Sequence, residues 1–303
     1  MCLMLKTNTD ARQTARLVLG GGAAYGLAEI GVLEVLRQRF EFSEIIGTSM
    51  GAIIGALYAC GKSPEQILEI AVQTNKLRVF NPLNLDKTFS GIFDGKVMLK
   101  LFEEWTDDLT FDDCSIPFRA VSYDLRKLNS VVLDKGPLAK AMRASSSIPY
   151  VFSPYNWGNY CFVDGGVEFP LPLGLSSDAQ ADVTIAVNVL PVKMQKPEAF
   201  VLPVGRTNKS KLLLHEIFLR SIFQNQAYLA LHSIIDNEPD LVVDAWYPQG
   251  SVFGFDAAET YYHWGIAQAR KALSGWEQPN YLTKLRRRYK SLVAMLSKGL
   301  STD

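Results

Sequence analysis

Histidine is nearly missing from this sequence: 303 residues hold only His215, His232 and His263. The four cysteines, Cys2, Cys60, Cys114 and Cys161, show neither zinc-ligand nor redox-pair spacing, and no metal-ligand cluster is visible. Cys60 and Cys161 fall in apolar stretches, where a free thiol packs as a small core residue, so structural thiols in a reducing compartment are expected. Net charge is absent too, with 31 basic side chains against 31 acidic ones. No global field therefore draws the chain to nucleic acid. No apolar run reaches the length of a membrane span. Met1 to Arg16 lacks the apolar core and small-residue cleavage site of a secretory signal. The expectation is a cytoplasmic protein, peripheral at most to a membrane, with no cofactor and no nucleic-acid partner; its oligomeric state stays open.

Hydrophobic residues make up 48% of the chain, enough for one large α/β domain with a sizeable core. Leu17–Leu19 reads as a strand that runs into the glycine-rich segment Gly20 to Gly26. Leu27, Ile30, Leu33 and Leu36 then follow at helical spacing. Phe42–Ile46 predicts a strand, Gly47 to Gly51 a tight turn, and Ala52–Ala59 an apolar helix. Ser63-Pro64-Glu65-Gln66 carries the capping signals of another helix. Lys76 to Gly95 is loop-rich. Further strands are predicted at Phe118–Tyr123, Ser130–Leu133, Tyr160–Val163, Val183–Val189 and Leu241–Ala245. Helices are predicted at Leu212–Ile235 and Ala257–Leu273, and Pro191 to Lys211 reads as a basic surface loop or lid. Strands alternating with helices predict a central, mainly parallel sheet flanked by helices on both faces.

Three segments carry chemistry. Gly47-Thr48-Ser49-Met50-Gly51 fits a G-x-S-x-G turn between strand and helix, which lifts a serine clear of its backbone beside a helix N-terminus. The competing reading is a tight turn with an incidental serine. In the loop Gly20 to Gly26, backbone amides face a cavity without side chains in the way. A dinucleotide fingerprint fails in both registers, because Tyr25 or Ala23 stands where a glycine is required. An oxyanion hole from the N–H groups of Gly21, Gly22 and Ala23, joined by Met50, is the other use. The third segment, Asp164-Gly165-Gly166, places a carboxylate at a strand end before two glycines, an arrangement that also occurs in plain turns.

Together and in this order the three segments resemble the patatin-like phospholipases. Gly26 to Leu33 is similar to the family's first helix, and Ala141 to Pro149 to its A-x-R-A-S-x-A-x-P run. Leu171-Pro172 follows the aspartate as in family members, and Phe255-Asp256 with Gly265 resembles the last element of the bacterial branch. The resemblance spans Arg16 to Ala272. It implies the family's three-layer α/β fold and a serine lipid acyl hydrolase in which Ser49 is the nucleophile and Asp164 the only base. Phospholipid or another acyl ester is the implied substrate. An acyltransferase with the same dyad and a non-catalytic lipid-binding protein on the same fold are the alternatives. Each histidine falls in a helical pattern, whereas a triad histidine needs a loop to reach its serine, which favours the dyad. Two positions depart from the family: Tyr25 replaces its basic residue, and Ala23 one of its glycines. The expected organisation is a tail at 1–15, a catalytic domain at 16–275 and a basic amphipathic helix at 276–303. In that last segment Leu282, Leu285, Tyr289, Leu292, Met295 and Leu296 share one face, for docking on the domain or on an anionic membrane.

Overall fold

The computed structural model describes residues 12–74, 84–88, 90–175, 180–191 and 214–277. Most of the N-terminal tail, the basic loop after Pro191 and the amphipathic segment at 281–296 lie outside the described residues. The strands are β1 (Gln13–Leu19), β2 (Phe40–Thr48), β3 (Phe118–Asp124), β4 (Asn129–Leu133), β5 (Tyr155–Trp157), β6 (Tyr160–Asp164), β7 (Val183–Asn188) and β8 (Leu241–Asp244). They form one eight-stranded sheet in the order β5-β6-β3-β2-β1-β7-β8, with β4 paired to β3. Pairing is parallel from β3 through β2, β1 and β7 to β8, and antiparallel where β3 meets β4 and β6 and where β5 meets β6. The central strand β1 buries Leu17, Val18 and Leu19 completely, as a strand covered on both faces must.

The helices are α1 (Ala28–Leu36), α2 (Met50–Ala59), α3 (Pro64–Gln73), α4 (Lys96–Thr106), α5 (Leu138–Ser145), α6 (Leu214–Asn237) and α7 (Ala258–Ser274). The crossovers β1–α1–β2 and β2–α2–β3 step across the sheet in the same direction, so right-handed connection puts both helices on one face. β7–α6–β8 steps the other way, which carries α6 to the opposite face. The N-terminus of α3 is closed as its sequence predicts: the Ser63 hydroxyl accepts from the Gln66 N–H, and the Gln66 side chain accepts from the Ser63 N–H. α7 packs on α1 through two glycines. A Cβ on Gly31 would collide with the Tyr262 carbonyl, and one on Gly265 with the Ala28 carbonyl.

The registers of β3 position the site. Val121 pairs with Thr48 of β2 and Val132 of β4, whereas its neighbour Ser122 pairs with Val131 of β4 and Asp164 of β6. Since β4 occupies one edge of β3 from Ala120 to Asp124, β2 and β6 share the other edge, end to end. The chain leaves β2 toward α2 just where β6 delivers Asp164.

Candidate active site

Ser49 lies in the turn between β2 and α2 with φ 54° and ψ −118°, a left-handed conformation that strains a residue with a side chain. The flanking glycines make the turn possible. A Cβ on Gly47 would collide with the Gly51 carbonyl, and one on Gly51 would lie 2.6 Å from the Leu19 carbonyl oxygen. The Ser49 N–H donates to Ser145 Oγ at 2.9 Å, and the Ser145 hydroxyl donates to the Val121 carbonyl at 2.6 Å. Ser145, at the end of α5, thus holds the turn against β3. The sequence carried this serine in a family-like run without assigning it a task.

Asp164 is 2% exposed. Its Oδ1 accepts from the Gly166 N–H at 2.7 Å, and its own N–H donates to the Ser147 carbonyl at 2.9 Å. Both following glycines are closely packed: a Cβ on Gly165 would strike the Val121 carbonyl, and one on Gly166 would lie 2.5 Å from Gln226 Nε2 and 2.9 Å from Asp164 Oδ1. Burial pushes the Asp164 carboxyl up to about 6, against the opposing pull of hydrogen bonds from the Ser49 side chain and the Gly166 N–H. Such a carboxyl is ionised at neutral pH yet basic enough to take a proton.

The glycine-rich loop packs against the turn, with a Cβ on Gly21 placed 3.2 Å from Ser49 Cβ. The Gly21 N–H donates to the Pro170 carbonyl at 2.7 Å, which corrects its expected place among the oxyanion donors. Ala24 donates to Val252 at 3.1 Å and Tyr25 to Gly22 at 3.1 Å. Gly22 and Ala23 donate to no protein acceptor among the described residues, and neither do the Met50 and Gly51 N–H groups at the start of α2, where Ala52 and Ile53 already donate to the Ser49 carbonyl. Ala23 fits the position of the missing glycine at φ 49°. Gly22, with φ 173°, is extended; it is glycine because a Cβ would lie 2.8 Å from Val189 Cγ2. Tyr25 is buried, donates to the Gly250 carbonyl at 3.1 Å and meets Tyr261 edge-on at 6.0 Å, so it braces the loop from behind.

Arg143 of α5, 1% exposed, ties the far wall together. It donates to the carbonyls of Gly95 (3.2 Å), Asp94 (3.3 Å) and Ser153 (3.0 Å) and to the Ser147 hydroxyl. Burial lowers its pKa to about 10, which still leaves a cation. Glu29, fully buried at the start of α1, is another residue the sequence did not single out. Burial raises its carboxyl well above the usual range and favours the protonated form. All three histidines are on helices. His215 is in the first turn of α6, His232 lies against Tyr228 on the same helix at 4.3 Å, and His263 is exposed on α7.

An apolar cavity opens beside Ser49, with about 130 Å³ available to the centre of a water-sized sphere. One wall is the α2 stripe Met50, Ile53, Ile54 and Leu57, and Ser146 and Phe255 also line it.

A family model described as patatin-like phospholipase matches residues 17–175. An uncharacterized NTE family protein of Mycobacterium tuberculosis is 33% identical over 188 residues, 61% of this chain and 51% of that one. The chain thus spans about half the length of that relative. The uncharacterized protein YqhO of Bacillus subtilis is 30% identical over 216 residues, 60% of this chain and 73% of that one. Patatin-like phospholipase domain-containing protein 7 of Rattus norvegicus is 31% identical over 183 residues, 57% of this chain and 13% of that one. Among solved structures, VipD from Legionella pneumophila aligns with a TM-score of 0.45 and 12% identity, covering 87% of this chain and 67% of that one.

Proposed function

Because the chain belongs to the patatin-like phospholipase family, we propose that it is a serine lipid acyl hydrolase with a Ser49–Asp164 dyad. The observation that supports this reading best is the Asp164 carboxyl, buried and raised to about 6 by that burial, with the Ser49 side chain acting on it in the opposite sense. In the reaction, Asp164 takes the Ser49 proton as Oγ attacks the acyl carbonyl. The N–H groups of Gly22 and Ala23, with Met50 at the start of α2, hold the oxyanion. The leaving alcohol takes the proton from Asp164, and an acyl-enzyme remains. Water then enters, gives its proton to Asp164 and attacks the acyl carbon, and the proton returns to Ser49 Oγ as the fatty acid departs.

Phospholipid or another lipid ester is the substrate class, with the acyl chain in the cavity beside Ser49. The buried Tyr25 offers no charge to an anionic headgroup, so recognition rests on the acyl part. Mass spectrometry after a fluorophosphonate probe tests the nucleophile: one adduct on Ser49 is expected, lost in Ser49→Ala. A native chain that takes no label and releases no fatty acid from a panel of phospholipids and lysophospholipids would refute the reading.

A further inference from the structure

Three helices build the cavity beside Ser49, and each contributes the same stripe. α2 presents Met50, Ile53, Ile54 and Leu57; α3 presents Ile67, Ile70, Ala71 and Thr74; α4 presents Met98, Leu101, Phe102 and Trp105. Every stripe has spacing i, i+3, i+4, i+7, one face of two helical turns. Their directions follow from connections outside the cavity. α2 runs away from Ser49, and α3 returns after the short turn that ends at Ser63. α4 starts at the catalytic end, where Gly95 is held by Arg143, two residues before the Ser49 partner Ser145 at the end of α5. It finishes beside the α2–α3 turn, where Asp107 pairs with Lys62 at 3.2 Å. Met50, Thr74 and Met98 therefore surround the mouth, and Leu57, Ile67 and Trp105 lie together at the far end. Leu57 and Ile67 are buried there. Trp105 is half-buried beside them.

From Ser49 to Leu57 the axis of α2 advances about 12 Å, at 1.5 Å per residue. A fully extended chain reaches about 1.2 Å per bond, a third of its reach per amino-acid residue. The sleeve thus holds about ten carbons in line with Ser49 Oγ. Its walls are hydrocarbon below the mouth, with no charged side chain among the lining residues. A polar alcohol or headgroup has no partner inside it, whereas each methylene that enters leaves water.

We propose that this three-helix sleeve is the acyl-chain site and that its closed end, at Leu57, Ile67 and Trp105, limits the acyl group to about ten carbons. The proposal rests on the reading of Ser49 as the nucleophile toward an acyl ester. It makes the protein selective for medium-length, unbranched acyl groups. Up to the limit, each added methylene strengthens kcat/KM by about fourfold, the transfer value of one buried methylene. Beyond the limit the gain stops, because the chain must bend back or leave its end in water.

The test is kcat/KM for p-nitrophenyl esters from butanoyl to hexadecanoyl, with titration calorimetry of the free fatty acids run in parallel. Two variants change the depth. Ala71→Phe, about half a helical turn to one turn inside the mouth, fills the sleeve and lowers the decanoyl-to-butanoyl ratio at least tenfold. Leu57→Ala opens the end and moves the optimum about two carbons longer. A ratio and an optimum unmoved in folded variants, or a native profile that keeps rising to hexadecanoyl, would overturn the length limit while leaving the hydrolase intact. A native chain that turns over no ester but binds decanoate, with affinity lost in Ala71→Phe, would keep the acyl site and refute the hydrolase. Should Ala71→Phe fail to fold, the Leu57→Ala profile decides alone.

Discussion

At the Ser49 turn, the atoms that forbid a side chain on Gly47 belong to Gly51, and those that forbid one on Gly51 belong to the end of the neighbouring strand. At the glycine-rich loop, the atom that forbids a side chain on Gly22 belongs to Val189, and the braces behind it are Gly250, Val252 and Tyr261. The turn is specified by backbone close to it, the loop by side chains and segments far along the chain. Backbone cannot step aside, whereas a side chain can turn or be trimmed. Substitutions in the turn should therefore be irreparable, and substitutions in the loop repairable.

The largest effects fall where both regions meet the substrate. Ser49→Ala and Asp164→Asn should each lower turnover of a soluble short-chain ester by about 10⁴-fold or more. His215→Gln, His232→Gln and His263→Gln, made singly, should leave most of the activity. A histidine variant as inactive as Ser49→Ala would replace the dyad by a triad. Next in size is Gly51→Ala, whose methyl would press on the Leu19 carbonyl; a loss of about 3 kcal/mol or more is expected in urea unfolding. Trimming neighbouring side chains should restore none of it.

Gly22→Ala should cost about 10²-fold in kcat, the scale of one oxyanion donor, with the fold retained. Here the comparison can be broken: Gly22→Ala combined with Val189→Ala should recover most of the lost rate. If the double variant is as slow as the single one, the loop is no more forgiving than the turn.

The pH dependence sharpens the other side of the site. With its carboxyl raised to about 6, Asp164 should give kcat/KM an acid limb near that pH. A raised carboxyl also works against folding once ionised. Its contribution to stability is fully present below about 3.8, the unfolded value, and is lost as pH climbs through about 6. Asp164→Asn should then be more stable than the native chain at pH 8, by on the order of 2–3 kcal/mol, and gain nothing at pH 3.5. Equal stability of the two at pH 8 would mean that the β6 end is wet. The smallest effect belongs to the loop's brace: Tyr25→Phe removes one hydrogen bond to Gly250 and should cost about 1 kcal/mol in thermal unfolding, with little change in kcat.

The same contrast decides what could be read from the sequence. The turn at Ser49 with its glycines, the capping box at Ser63 and seven of the eight strands are encoded over a few residues and appear where their local patterns place them, whereas the three-residue β5 was not predicted. Asp164 was recognisable from the two glycines behind it, although the atoms that crowd them, the Val121 carbonyl and the Gln226 side chain, lie far along the chain. The reason Gly22 is a glycine was not legible, because Val189 becomes its neighbour only when β7 pairs with β1. For the same reason Gly21 was counted among the oxyanion donors, since nothing nearby announces Pro170 as its acceptor. α4 went unassigned although its stripe of Met98, Leu101, Phe102 and Trp105 was in plain view; the turn signals up to Gly95 masked a helix that starts at the next residue. Ser145 and Arg143 read only as part of a run, since their partners lie on other elements.

The close crossing of α1 and α7, at Gly31 and Gly265, gives the molecule an order of assembly. Synthesis runs from the N-terminus, so Ser49 and Asp164 leave the ribosome well before the segment around Gly250 and before α7. Until α7 seats itself on α1, the glycine-rich loop beside Ser49 has no brace behind it. A nascent or prematurely ended chain would thus carry Ser49 and Asp164 without that backing, and under the proposed mechanism competence would wait for α7.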